Sequence, residues 1–393
     1  MANLIKIKRG LKANLPTLSL AELAYCTDTG ELFIGNEGDV DNPDVKIKLD
    51  DPATLLPYGG DRAQGTDFSP DDGTYLSVTH QYSPFLSIYK RSGDTFTKLA
   101  DPSTLPTGTA NGTSFSPNGT YLSVGHQYSP FLSIYKRSGD TFTKLSNPAT
   151  LPPGTTYGTA FSPDGTYLAV GHYGSPRITI YKRDGDTFTK LSNPDILPPY
   201  GDKTAFSPDS TYLSVTHYGS PFVTIYKRSG DTFTKLANPD ILPTGAGRGT
   251  AFSIDGTYLS VAHVSSPFIT IYKRDGDTFT KLDNPATLPP FHGQGTEFSP
   301  DGNYLAVGHS YSPYVTIYKR DGDTFTKLDD PAILPTGTGN GTAFSPDGTY
   351  LSIAHDNSPF ITIYKNGTMI GPVNELINED IFTATLDGGV WDE

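Results

Sequence analysis

Cysteine, methionine and tryptophan are nearly missing from this 393-residue chain, which has one, two and one of them. A lone cysteine, Cys26, excludes an internal disulfide framework and a cysteine-based zinc site. No run approaches the roughly 18 apolar residues of a membrane-spanning helix. The stretch Met1 to Arg9 also lacks the apolar core of a secretory signal. The chain is therefore expected to be made in a cytoplasm, without membrane insertion. Basic residues are in deficit too. Against 42 aspartates and glutamates stand 29 lysines and arginines, a formal charge of −13. Such a surface repels polyanions, so nucleic acid is not an expected partner. Glycine (41), proline (33) and tyrosine (24) are plentiful instead. That profile belongs to short strands joined by tight turns.

The turns recur. A phenylalanine heading an F-S-P-D-G-like turn appears at Phe68, Phe115, Phe161, Phe206, Phe252, Phe298 and Phe344, at spacings of 47, 46, 45, 46, 46 and 46. In step with it run His80, His126, His172, His217, His263, His309 and His355. Self-similarity at this period signals a propeller or a solenoid. In the third unit the pattern predicts strands over 158–162, 167–172, 178–182 and 188–191. Pro163-Asp164-Gly165 and Asp184-Gly185 supply the hairpin turns. Runs such as Tyr-Leu-Ala-Val and Ile-Thr-Ile-Tyr are β-branched and aromatic, as sheets buried on both faces require. Four short strands per unit make a propeller blade. No capping repeat, which a solenoid would need, is evident.

Closure of the ring can also be anticipated. The seventh unit ends after its third strand, 360–365, without a Phe-Thr-Lys-Leu segment. The sequence Val45-Lys46-Ile47-Lys48-Leu49, leading into Asp51-Pro52-Ala53, matches the missing strand. Residues 45–49 are thus expected to complete the last blade and remove an open sheet edge. Residues 381–386 of the tail are the competing candidate. The expected fold is all-β: a seven-bladed β-propeller closed by an N-terminal outer strand and preceded by a small β-rich domain. The repeat resembles the WD-repeat and lactonase-like propellers over residues 45–365, with Tyr181 and its equivalents where WD repeats often carry tryptophan. Such propellers host enzymes, scaffolds and binding proteins alike.

Before the repeat the pattern changes. Leu4-Ile5-Lys6-Ile7-Lys8-Arg9-Gly10 reads as a strand, and Glu22 to Gly35 as a hairpin about Asp28-Thr29-Gly30. Alone this stretch is too small for a stable core and calls for a partner or copies of itself. The segments I-K-I-K-R-G and L-A-E-L-A-Y-C-T-D-T-G-E-L-F-I-G resemble the N-terminal domain of the phage major-tropism-determinant family over residues 4–38. Ala21 replaces the glycine usual before the glutamate, here Glu22. The resemblance implies a virion component attached to other virion proteins through this end, commonly as a homotrimer. The expected division is an anchoring domain at 1–43, the propeller at 44–365 and an acidic tail at 366–393. The tail has six acidic residues, no basic ones and the only tryptophan, Trp391. It either docks on a neighbouring subunit or is a solvated end.

The seven histidines lie on a wide ring and cannot converge on one metal ion, so each is expected to bond a backbone or hydroxyl group. No cofactor is expected. Seven near-identical blades offer the same groups seven times, whereas catalysis needs unlike groups together. The two carboxylates that break the small-residue pattern before the phenylalanine, Asp67 and Glu297, are the only enzymatic candidates, for glycoside hydrolysis. With nothing evident to tune them, the chain is expected not to be an enzyme. Two loop positions vary more. Before the first strand stand Gln64, Asn111, Tyr157, Asp202, Arg248, Gln294 and Asn340, and after the histidines come Tyr82, Tyr128, Tyr173, Tyr218 and Tyr311. Both connections emerge on one face of a propeller, where tyrosine and amides suit saccharide or protein recognition. Neutral drift of exposed loops is the competing reading. Arg177, where six blades carry phenylalanine or tyrosine, fits either. The expected function is recognition of a bacterial surface glycan or protein by a phage or prophage virion protein, a tail fibre or receptor-binding protein. A capsid fibre or decoration protein is the alternative.

Overall fold

A computed structural model describes residues 7–10, 23–26, 32–34, 44–54 and 61–366. Strands β1 (Ile7–Gly10), β2 (Leu23–Cys26) and β3 (Leu32–Ile34) form a three-stranded sheet in that order. The first pair is parallel, and the second is antiparallel with Leu23 opposite Ile34. The expected hairpin is therefore present, while its turn lies outside the described residues.

From Ala63 to Asn366 the chain builds seven four-stranded sheets, six of them in simple sequence order from the innermost strand outwards. In the third, the strands are Thr156–Phe161, Tyr167–His172, Ile178–Asp184 and Thr187–Lys190. The innermost strand begins two residues before the expected Gly158. A register shift between Thr156 and Gly158 lets the strand resume pairing, with Thr156 opposite His172. The fourth blade lacks this irregularity, and its innermost strand is only Thr204–Phe206.

The seventh sheet takes its outer strand from β4 (Lys46–Lys48), the closure expected from sequence. The amide of Leu49 donates to the Ile363 carbonyl at 2.8 Å, and Lys46 Nζ donates to Asn366 Oδ1 at 2.6 Å. The competing tail segment, 381–386, lies outside the described residues. A side-chain latch joins the seventh blade to the first. Tyr350 Oη donates to Asp94 Oδ1 at 2.6 Å, and Lys365 pairs with Asp94 at 2.8 Å. Tyr75–Asp140, Tyr121–Asp186, Tyr167–Asp231, Tyr212–Asp277 and Tyr258–Asp323 are the same latch between earlier blades.

The apolar residues do not gather into one central core. They form seven clusters, each shared by two neighbouring blades. Tyr167, Ala169, Ile178 and Ile180 meet Phe206, Leu213, Val215 and Tyr226, for example. Removing one buried leucine of this set, such as Leu213, would cost about 2–5 kcal/mol. Each fully buried tyrosine of the third strands keeps its hydroxyl satisfied, as Tyr181 Oη does on the Thr150 carbonyl at 2.8 Å.

Candidate functional site

The seven buried histidines are structural hydrogen-bonding groups. Each Nε2 meets the hydroxyl of the third-strand residue seven positions on. These partners are Ser87, Ser133, Thr179, Thr224, Thr270, Thr316 and Thr362, at 2.9–3.2 Å. Burial holds His126, His172, His217, His263 and His309 neutral, with pKa values near 4. In the first blade Asp61 Oδ2 also lies 3.0 Å from His80 Nδ1. An Asp61–His80–Ser87 relay has the connectivity of a hydrolase triad. Its serine, however, is fully buried, and the histidine–hydroxyl half recurs in every blade. Asp61 instead ties a loop, since its Oδ1 accepts the amides of Arg62, Gln81 and Tyr82 at 2.8–3.2 Å.

The innermost strands surround an axial channel. Six of them place glycine at its neck, namely Gly65, Gly112, Gly158, Gly249, Gly295 and Gly341. A Cβ on Gly112 would come within 2.7 Å of the Tyr157 carbonyl, and one on Gly341 within 3.0 Å of Gly65 Cα. The seventh residue of the ring is Lys203. Its ammonium reaches across to the Asn111 and Tyr157 carbonyls at 2.6 and 2.7 Å. This lysine, overlooked among the repeat variants, lines the same cavity of about 550 Å³ as Asp67 and Glu297. Burial lowers its pKa and the neighbouring Asp202 opposes that.

Asp67 and Glu297 stand where four blades have alanine and one has Ser114. An innermost strand has no neighbour on its axial side, so some of its amides point into the channel. Asp67 Oδ2 accepts one of them, Phe115 N, at 2.7 Å, and Glu297 accepts that of Phe344. Burial raises the Asp67 pKa to about 7 despite these bonds. Glu297 is pushed well above the usual carboxylate range by burial first and by the Asp67 charge second. The channel thus holds an aspartate that titrates near neutrality, a glutamate whose carboxyl burial pushes upward and a lysine short of solvent. Such perturbed groups mark candidate functional sites.

The other variable residues lie at the start of the innermost strands and in the turns after the histidines. The loops that carry the two sets meet: Thr107 Oγ1, ahead of the second blade, donates to the carbonyls of Tyr128 and Ser129 at 3.0 and 2.9 Å. Three amides of the first set hold neighbouring segments. Asn111 donates to the Thr156 carbonyl, Gln294 to Ser310 Oγ, and Asn340 to both the Ala63 carbonyl and Asp356. Gln64 lines the channel. Asp202 is buried, which raises its pKa to about 6 against the opposing charges of Lys203 and Arg248. Tyr82, Tyr128, Tyr173, Tyr218 and Tyr311 all remain exposed, between 42% and 61%.

Two groups of rings form on this face. In blades three to five, Arg177 lies over Tyr173 and Tyr200 at 5.4 and 5.1 Å, and Tyr200 meets Tyr218 edge-on at 6.3 Å. Arg248 in turn covers Tyr218 at 4.4 Å and donates to its hydroxyl. Burial and then the Asp202 charge raise the pKa of the nearby Tyr157. In blades five and six Phe291 stacks on His292 at 4.0 Å and meets Tyr311 edge-on at 4.4 Å. A separate polar cleft of about 340 Å³, lined by Tyr311, Arg62 and Asp356 among others, lies where the seventh blade meets its neighbours.

Seven four-stranded sheets around a channel with ionisable groups in its bore define a seven-bladed β-propeller. The chain belongs to the family described as lactonase, 7-bladed beta-propeller, matched over residues 141–381. Residues 5–36 match the major tropism determinant N-terminal domain. The solved structure of Kuenenia stuttgartiensis hydrazine synthase is similar, with a TM-score of 0.62 at 17% identity, covering 80% of this chain and 98% of that one. No curated protein matches the chain. These findings overturn the expectation that the protein is not an enzyme. The family that matches is named for an enzyme. The physical error was to treat the blades as chemically uniform: Lys203, a single departure at the neck, brings an unlike group into the cavity of Asp67 and Glu297.

Proposed function

We propose that the chain is a bacteriophage or prophage virion protein, a tail fibre or receptor-binding protein that recognises a bacterial surface glycan or protein. Residues 1–43 attach it to other virion proteins, as a homotrimer, and residues 44–365 present the binding face. The acidic segment 366–393 follows. The match of residues 5–36 to a phage tropism domain supports the virion assignment. The observation that carries the recognition is the concentration of exposed tyrosines and two arginines on one propeller face. Rigid aromatic side chains give large contact area at little entropic cost. Purified protein is expected to bind host cells and to block virion adsorption. Protein that neither binds cells nor competes with virions sinks this reading, and a virion map locates it on tail or head.

The channel favours a second reading, hydrolysis of a lactone or glycosidic bond in the cavity of Asp67, Glu297 and Lys203. Asp67, poised near neutrality, would serve as general base towards water, and Glu297, whose pKa burial and the Asp67 charge raise, as the acid for the leaving oxygen. Turnover of a lactone or glycan panel that disappears in the D67A/E297A double variant supports it. Turnover that survives, or none at all, removes it.

A further inference from the structure

The third blade breaks the repeat at one position that the binding face does not explain by packing alone. After each Ser-Pro step comes a residue with φ between 66° and 74°. It is phenylalanine or tyrosine in six blades and Arg177 in the third. At this position Phe85 and Phe360 pack on apolar clusters, and Phe268 packs against Phe291. Arg177 instead lies over the rings of Tyr173 and Tyr200.

Most other arginines of the propeller are occupied. Arg91, Arg137, Arg183, Arg228, Arg274 and Arg320 sit over tyrosine rings, and the first five donate Nε to a turn carbonyl at 2.7–3.0 Å. Arg320 and Arg62 hold the carboxylates Asp255 and Asp356. Among the described residues Arg177 has no carboxylate or carbonyl of this kind. Held against two rings, the guanidinium keeps its fork of N–H donors for an acceptor from outside the chain. A carboxylate or phosphate fits that fork bidentately.

The flanking loop is built for this contact. The connection into the fourth blade is one residue shorter than that into the third, and it carries Tyr200-Gly201. A Cβ on Gly201 would lie 1.8 Å from the Arg177 carbonyl, so only glycine allows the loop to approach. Tyr200 is also packed edge-on against Tyr218 at 6.3 Å. Tyr173 and Tyr200, 61% and 39% exposed, offer flat apolar surface beside the cation. A pyranose ring has apolar C–H patches, and an acidic one carries the matching anion.

We propose that Arg177, Tyr173 and Tyr200 form a subsite for an acidic sugar unit, bearing a carboxylate or a phosphate, of a surface polysaccharide. The subsite rests on the receptor-binding reading and names the class of its ligand. The test titrates the full chain with a hexuronic-acid oligosaccharide, a phosphodiester-linked sugar oligomer and a neutral dextran oligosaccharide, at low and high salt. At least one acidic probe should bind, more weakly as salt rises, and the neutral one should not; the two acidic probes tell carboxylate from phosphate. Arg177→Phe restores the residue type of the other blades and so preserves the fold. It should lower affinity for the acidic probe about tenfold or more, the size of a charged hydrogen-bonded contact. Equal affinity in R177F, equal binding of neutral and acidic probes, or no binding of either acidic probe overturns the subsite. Host-cell adsorption separates the two readings. R177F adsorbing as the parent does removes the subsite and leaves the receptor function, whereas a parent that adsorbs to no host cell removes that function while the sugar titration still decides the subsite.

Discussion

The interior of each blade and the rim above it obey opposite rules. Inside, the same histidine, hydroxyl, tyrosine and aspartate recur with bond lengths agreeing to a few tenths of an ångström. At the rim and in the bore, the corresponding positions hold amides, rings, both charges and a lysine. Repetition serves assembly, because each blade must fit two neighbours that are nearly its copies. Chemistry needs the exceptions.

The largest expected effect attacks the repeated interior all at once. Five histidines have folded pKa values near 4, below the value of about 6.5 for an unfolded chain. Their neutral state favours folding above pH 6.5, and that advantage is lost as pH falls towards 4. The urea midpoint should therefore drop steeply across this window, with several protons taken up on unfolding. A flat midpoint down to pH 4.5 would contradict the buried neutral ring.

The bore should respond in the opposite sense. Asp67 has a raised folded pKa, so its contribution is complete below about pH 4 and is lost as pH rises through about 7. Asp67→Asn keeps an acceptor for the Phe115 amide. It should stabilise the protein at pH 8 and change little at pH 4, as denaturant titration at both pH values would show. A gain independent of pH would mean that the carboxyl is not held protonated.

A smaller effect belongs to the closing latch. Tyr350→Phe removes the hydroxyl that holds Asp94, at an expected cost of about 1 kcal/mol. The same change at Tyr167, in the middle of the ring, should cost a similar amount. A much larger loss at Tyr350 would show that the closing joint is the weakest.

The smallest effect repairs an irregularity. Between most neighbouring blades a serine of one meets a threonine of the next, as Ser123 Oγ meets Thr159 Oγ1 at 3.0 Å. Blades three and six carry Ala169 and Ala306 instead, and the buried hydroxyls of Thr204 and Thr342 are left without a partner. Ala169→Ser and Ala306→Ser should each add up to about 1 kcal/mol, read as a higher urea midpoint. Destabilisation would mean that no room exists for the hydroxyl.

Much of the scaffold was legible in the residues. Pro-Asp-Gly and Asp-Gly turns fixed the hairpins, β-branched runs fixed the strands, and the misplaced outer strand announced how the ring shuts. Strand ends were less legible, because the bulge before Gly158 depends on the neighbouring strand. The bore was misjudged for a related reason. Lys203 occupies a position that reads as an ordinary loop variant until the six glycines are seen to form one ring. Arg177 stood out as a substitution, but its aromatic partner Tyr200 comes from the next blade, and only the fold brings the two together. Asp61 likewise lies nineteen positions before His80, where the second and seventh blades carry Thr107 and Thr336 and no other blade has a carboxylate to draw attention to it.

The borrowed outer strand has a consequence for biosynthesis. Lys46 leaves the ribosome 320 residues ahead of Asn366, the residue it bonds. Through most of translation β4 has no sheet to join, and six blades stand as an open arc with unpaired edges. Only arrival of the seventh blade provides the place for β4. A chain cut short anywhere in the propeller therefore cannot seal its sheet, and the joint acts as a check that the whole repeat array has been made.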